Sequence, residues 1–187
     1  MQRDPKIVLF NAPPRAGKDT AALAGLGIHK ALAPTRVKFS DPVKGGCHAS
    51  YELNVPIDHY EEVKDTPHAD FLGLTPRWAY IKHSESYMKP IHGPDVFGKL
   101  AVRRMRKLTS QLFLVPDSGF EAEALPVIDY FGWDNVFLVR IERTGCDFSN
   151  DSRNYLDLPC ATYDVENNGT IEAFQSEIRA ILTEVVR

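Results

Sequence analysis

The stretch Lys6-Ile7-Val8-Leu9-Phe10-Asn11-Ala12-Pro13-Pro14-Arg15-Ala16-Gly17-Lys18-Asp19-Thr20 decides the fold. Its first five residues are a short apolar run, the form of a strand covered on both faces of a parallel sheet. A Pro/Gly segment then turns the chain, and residues 20–33 carry Ala and Leu at helical spacing until Pro34 stops them. Strand, glycine turn and helix in that order make a phosphate-binding loop. Backbone amides curl around an anion, a lysine reaches it, and the helix N-terminus adds its partial positive charge. Gly17 and Lys18 supply the end of that motif, flanked by Arg15, Ala16, Asp19 and Thr20. Ala12 stands where a first glycine is usual, and Asp19 where Ser or Thr is usual. The competing reading is a Pro-rich turn in which Asp19 merely favours the helix dipole.

Working outward, short apolar runs at 36–39, 111–115, 136–141 and 161–165 read as further core strands. Strands alternating with helices predict an α/β fold with a mostly parallel central sheet flanked by helices. Thr170 opens a last helix with Ile171, Phe174, Ile178, Ile181, Leu182 and Val185 on one face. Residues 45–108 break the pattern with His, Tyr, Pro and charge, and read as a substrate-binding helical insertion with helices near 76–83 and 94–107. The whole, 1–187, reads as one domain.

Hydrophobic residues make up 43% and charged residues 25%, the balance of a folded globular protein. A net charge of -3 argues against a surface that is basic throughout, and leaves room for a local basic face. Cys47, Cys146 and Cys160 are odd in number and widely spaced, so neither a disulfide framework nor a zinc site is suggested. The apolar run after Pro5 is too short for a signal peptide or membrane span, so a cytoplasmic protein without a membrane partner is expected.

Three groups of candidates lie outside the loop. Asp117 follows Leu112-Phe113-Leu114-Val115-Pro116, at the carboxyl end of a predicted strand, where ligands collect in open α/β sheets. A turn Asp is the alternative, since Asp-Ser-Gly is good turn chemistry. Arg103 and Arg106, three apart in a cluster with Arg104 and Lys107, fall on one helix face and can fork onto a phosphate. A solvated charged face is the plainer account. The polar run from Arg143 to Arg153 follows a strand and resembles a lid over phosphates, here bounded at 143–157.

On these residues the chain resembles the bacteriophage deoxynucleoside monophosphate kinases, P-loop enzymes with a Gly-Lys-Asp-Thr loop, here Gly17-Lys18-Asp19-Thr20. The likeness continues in family order through Lys38-Phe39-Ser40-Asp41-Pro42-Val43-Lys44, Thr75-Pro76-Arg77, Asp117…Phe120…Glu123 and Asn167-Asn168-Gly169-Thr170. It implies a P-loop kinase fold and ATP-dependent phosphoryl transfer to a deoxynucleotide with Mg²⁺. Lys18, Asp117 and Arg153 would then be catalytic. Arg15, Ala16, Gly17, Lys18, Asp19, Thr20 and Arg143 would hold ATP, and Asp41, Arg77, Arg103 and Arg106 the acceptor. Asp19, Thr20 and Asp117 would serve the metal ion. A homodimer is left open.

The sequence departs from this family at Gly119, where an arginine serving the acceptor phosphate is common. Either the cluster at 103–106 substitutes, or the acceptor carries no free monophosphate. The second option leads to a rival reading, a phage kinase that phosphorylates 5-hydroxymethyluracil bases in DNA. Tyr80, Tyr87 and Phe97 with Lys82, Lys89 and Lys99 would then cradle an extruded base, unless these aromatics simply fill the core. A nucleotide-binding regulator without turnover is a third alternative.

Overall fold

The computed structural model describes residues 4–28, 30–149 and 151–187. Its frame is a five-stranded, all-parallel sheet in the order β2-β3-β1-β4-β5. The strands are β1 (Lys6–Asn11), β2 (Thr35–Arg36), β3 (Leu112–Val115), β4 (Val136–Glu142) and β5 (Ala161–Glu166). β1 lies in the middle, with Leu9 level with Val115 on one side and Leu138 on the other. Alternation along β1 divides the core into two layers. Ile7 and Leu9 face a cluster that includes Val43 of α2 (Asp41–Ser50), Phe97 and Met105 of α5 (Val96–Met105), and Val127 of α6 (Glu121–Phe131). Val8 and Phe10 face the other cluster, built on α1 (Lys18–Leu26) and α7 (Ile171–Val185).

The predicted strands and helices fall close to their places with three differences, and α2 and α6 stand where no helix was predicted. The strand expected at 36–39 is cut to Thr35–Arg36, because the amides of Phe39 and Ser40 turn away from the sheet to a side chain of the site. The helix expected over 20–33 starts at Lys18 and stops at Leu26 against Gly27; a single 3-10 turn, Lys30–Leu32, carries the chain on. The insertion expected over 45–108 narrows at both ends, since α2 and α5 pack on the sheet. Between them, α3 (Pro76–His83), a π-turn (Ser84–Met88) and α4 (Lys89–His92) follow a long loop. This part folds around its own small core of Cys47, Tyr60, Phe71 and Ala79. Among the described residues, no helix is long and apolar enough to cross a membrane.

Candidate active site

The loop joining β1 to α1 sits at the carboxyl end of the central strand. Pro13 and Pro14 carry no N–H, and the Ala16 amide closes a turn onto the Pro13 carbonyl at 3.3 Å. Arg15 adopts φ 66°, a left-handed conformation uncommon for a side-chain-bearing residue. Gly17 follows at φ 110°, and a Cβ there would lie 2.5 Å from Asn167 Nδ2 and 3.4 Å from the Phe174 ring. Only glycine fits both the backbone and the neighbour. Asn167 donates to the Ala16 carbonyl at 2.8 Å, so the turn before α7 braces the loop from outside. Arg143 reaches the Arg15 carbonyl at 3.4 Å, and Asn168 Oδ1 accepts from the Thr144 amide at 2.8 Å. Together Arg15, Gly17, Lys18, Asp19, Thr20 and Arg143 border a cavity of about 360 Å³, which Asn167, Gly169, Ile171 and Phe174 complete. The sequence-predicted donor residues are thus gathered in one place. Ala16 is the exception, buried beneath them with its carbonyl held by Asn167.

Lys18 is partly buried, and its ammonium is held below its ordinary range by that burial first and by the Arg153 guanidinium second. Asp19, Asp151 and Asp117 pull the other way. Asp117 stands at the end of β3 with Oδ1 accepting from the Phe39 amide at 3.0 Å and Oδ2 from the Ser40 amide at 2.9 Å. Burial pushes its pKa above the usual carboxylate range, against these bonds. The Ser40 side chain adds a third hydrogen bond, so the carboxylate is fixed in direction.

Arg153 lies in the predicted lid, the connection between β4 and β5; Asn150 of that segment is outside the described residues. Its guanidinium is gripped by Asp151, Nε to Oδ1 at 2.7 Å and Nη2 to Oδ2, which raises its already high pKa. Its aliphatic stem crosses Gly119: a Cβ on Gly119 would lie 2.6 Å from Arg153 Cγ and closer still to Cδ. The space that a side chain at position 119 would take is therefore filled by an arginine from another loop. Glu123, in the first turn of α6, is 6% exposed and feels Lys89, Asp117, Glu85 and Arg153; burial pushes its carboxyl up to about 7.

The other candidates fare differently. Arg77 forks onto Asp65, Nε to Oδ1 and Nη2 to Oδ2 at 3.2 Å, and is electrostatically coupled to Glu61 and to Asp151 of the lid. Asp41, at the start of α2, pairs with Arg104. Arg106 does not join the site: its guanidinium lies 5.2 Å from the Tyr130 ring and borders a cavity with Asp4, Pro5, Ser110 and Gln111. Those residues precede β1 and β3, so Arg106 occupies the amino end of the strands, opposite Lys18. Arg103 is exposed on the same helix. Tyr80 and Phe97 fill cores instead of a base pocket, Tyr80 bonded to His48 at 2.8 Å and Phe97 1% exposed. Tyr87 is exposed beside His83, Lys82 lies over Trp78, Lys89 over Phe120, and Lys99 pairs with Asp95.

Sequence reasoning missed Asn11. Fully buried, it donates to the carbonyls of Ser118 and Asn154 at 2.9 and 3.1 Å and accepts from the Leu156 amide at 3.0 Å. One side chain thus ties β1 to the Asp117 loop and to the root of the lid. Among the described residues no group of three or more His, Cys, Asp or Glu could hold a metal ion. Mg²⁺ asks for less: one or two carboxylates, waters and phosphate oxygens. Asp19 and Thr20 border the same cavity as Lys18, and Asp117 acts on the Lys18 ammonium electrostatically. Searches against protein-family models and against curated proteins find no match to this chain.

Proposed function

We propose that this protein is an ATP-dependent kinase of a deoxynucleotide, built as a P-loop kinase with a short lid. The observation that carries the reading is Lys18 behind Gly17 at the carboxyl end of β1, electrostatically coupled to Asp117 and to Arg153. Phosphoryl transfer asks a protein mainly for positioning and for charge opposite the moving group. In this reading the amides from Gly17 to Thr20 and the Lys18 ammonium bind the β- and γ-phosphates of ATP. Arg143 and Ile171 border the same cavity and offer a guanidinium plane and an aliphatic face for the base. Asp19, Thr20 and Asp117 would hold Mg²⁺, which would offset the negative charge of the phosphates.

An acceptor oxygen attacks the γ-phosphorus, the bond from phosphorus to the β–γ bridging oxygen breaks, and ADP leaves with that electron pair. Arg153 supplies positive charge as the group crosses. With a deoxynucleoside monophosphate as acceptor, the attacking oxygen is already ionised and the product is the diphosphate. With a hydroxymethyl base in DNA, an alcohol proton must also go. Arg106 lies at the amino ends of the strands and Arg104 is engaged by Asp41, so neither stands in at Gly119, where the Arg153 stem lies instead. The buried carboxyl of Glu123, beside Asp117, offers a base of suitable strength.

The test is a side-by-side assay with γ-labelled ATP and Mg²⁺, offering the common and modified deoxynucleoside monophosphates and hydroxymethyluracil-containing DNA. Label in free nucleotide selects the first acceptor, and label in DNA the second. ATP binding with no labelled product in any arm would leave the regulator reading in place of the kinase.

A further inference from the structure

Beside Asp117, the chain gathers positive charge that the transfer chemistry above does not use. Arg36 and Lys38, two apart in extended backbone, project to the same side while Val37 and Phe39 point into the core. Lys44 comes from α2. All three meet one carboxylate: Asp58 accepts from Arg36 Nη2 at 3.3 Å, from Lys38 Nζ at 3.2 Å and from Lys44 Nζ at 3.0 Å. Lys44 also pairs with Glu61, which in turn holds Lys64 at 2.8 Å. Four cations thus share two carboxylates. Lys38 and Lys44 are withdrawn from water, their side chains only 11% and 10% exposed, whereas Asp58 is 39% exposed. Asp58 is thus the solvent-facing member of the set, the point at which an incoming anion meets the cations.

The cluster is also in the right place. The turn that carries Lys38 is the one whose next two amides hold Asp117. Arg77 couples to Glu61 of this cluster and to Asp151 of the lid, linking it to the Lys18 side. We propose that Arg36, Lys38 and Lys44, drawn together on Asp58, form the anion site that takes a phosphate of the acceptor. This rests on the kinase reading only for the word acceptor; the site itself is a claim about anion binding. The phosphate has two sources, the monoester of a free nucleotide or the phosphodiester of a DNA strand, and both are recognised by the same cations. Asp58 then acts as the resident anion that keeps the three side chains assembled and is partly displaced by the ligand.

The experiment measures binding without turnover, by calorimetry on the intact protein, using the four deoxynucleoside monophosphates and a 20-nucleotide single strand as probes, with ATP alongside. Arg36→Gln and Lys38→Gln should weaken one probe class at least tenfold and leave ATP within twofold. Weakening of the monophosphates assigns the monoester; weakening of the strand, with a salt slope reduced by about one per lost cation, assigns the phosphodiester. Asp58→Asn should tighten the same probe, because a competing carboxylate is gone. A network that merely clips the insertion to β2 predicts something else: lower melting temperatures in all three variants with probe binding unchanged. That result overturns the proposal, as does a wild-type protein that binds neither probe class. Loss of anion binding in the variants with no ATP ever consumed would keep the site and sink the kinase reading.

Discussion

The stem of Arg153 occupies the space that any side chain at Gly119 would need, although the two residues belong to different loops. Gly119→Ala should push the Arg153 guanidinium off its line towards Asp117. A shift of about 1 Å can cost on the order of a hundredfold in rate. The expected outcome is a kcat lowered tenfold to a hundredfold with ATP affinity unchanged, measured by steady-state kinetics and direct nucleotide binding.

Lys18→Ala should separate activity from stability. The folded Lys18 sits below its ordinary 10.5, so at any pH below that range the unfolded chain binds the proton more readily and the charge opposes folding. Removing it should leave the melting temperature level or raise it. Turnover should fall by about 10²–10³ or more, as for loss of one donor to a developing charge.

Glu123 gives a pH signature. Its carboxyl moves from an ordinary 4.5 to about 7 on folding, so the folded state holds the proton more tightly. Stability from this group is full below about 4.5 and is lost as pH rises through 7. The loss approaches about 3 kcal/mol by linkage. Glu123→Gln should flatten that part of the pH dependence in denaturant titrations, and the variant should be the more stable protein at pH 8.

Much of this architecture is legible in the sequence because it is local. The apolar runs of β1, β3 and β4 are buried on both faces and announce themselves, and the Gly17-Lys18 turn is a motif within a few residues. What was hidden depends on contacts across the chain. Asn11 and Leu156 are 145 positions apart, and Lys38 meets Asp58 only once the insertion has folded. Helical spacing put Arg103 and Arg106 on one face but could not say which end of the sheet that face would reach. α5 ends at Met105, and its direction carries Arg106 to Tyr130.

Arg106→Ala therefore serves as a control. Every kinetic constant for donor and acceptor should match wild type, since the residue lies at the amino ends of the strands. A tenfold change in acceptor KM would contradict that placement.

Asn11→Ala should be the most damaging of these changes to the fold. It strands two carbonyls and one amide that are otherwise satisfied in the interior. At about 1–3 kcal/mol for a buried group left unpaired, a loss of about 3 kcal/mol or more is expected in chemical denaturation.

The prolines at 13 and 14 have a kinetic side. They fix two backbone angles at the mouth of the loop, Asn167 holds its middle, and Gly17 is confined by its neighbours. A loop already set in shape has little disorder left to lose when a nucleotide arrives. Nucleotide association should then follow a single fast phase with a small entropic cost, and slow ordering events, where they occur, should belong to the arrival of the acceptor.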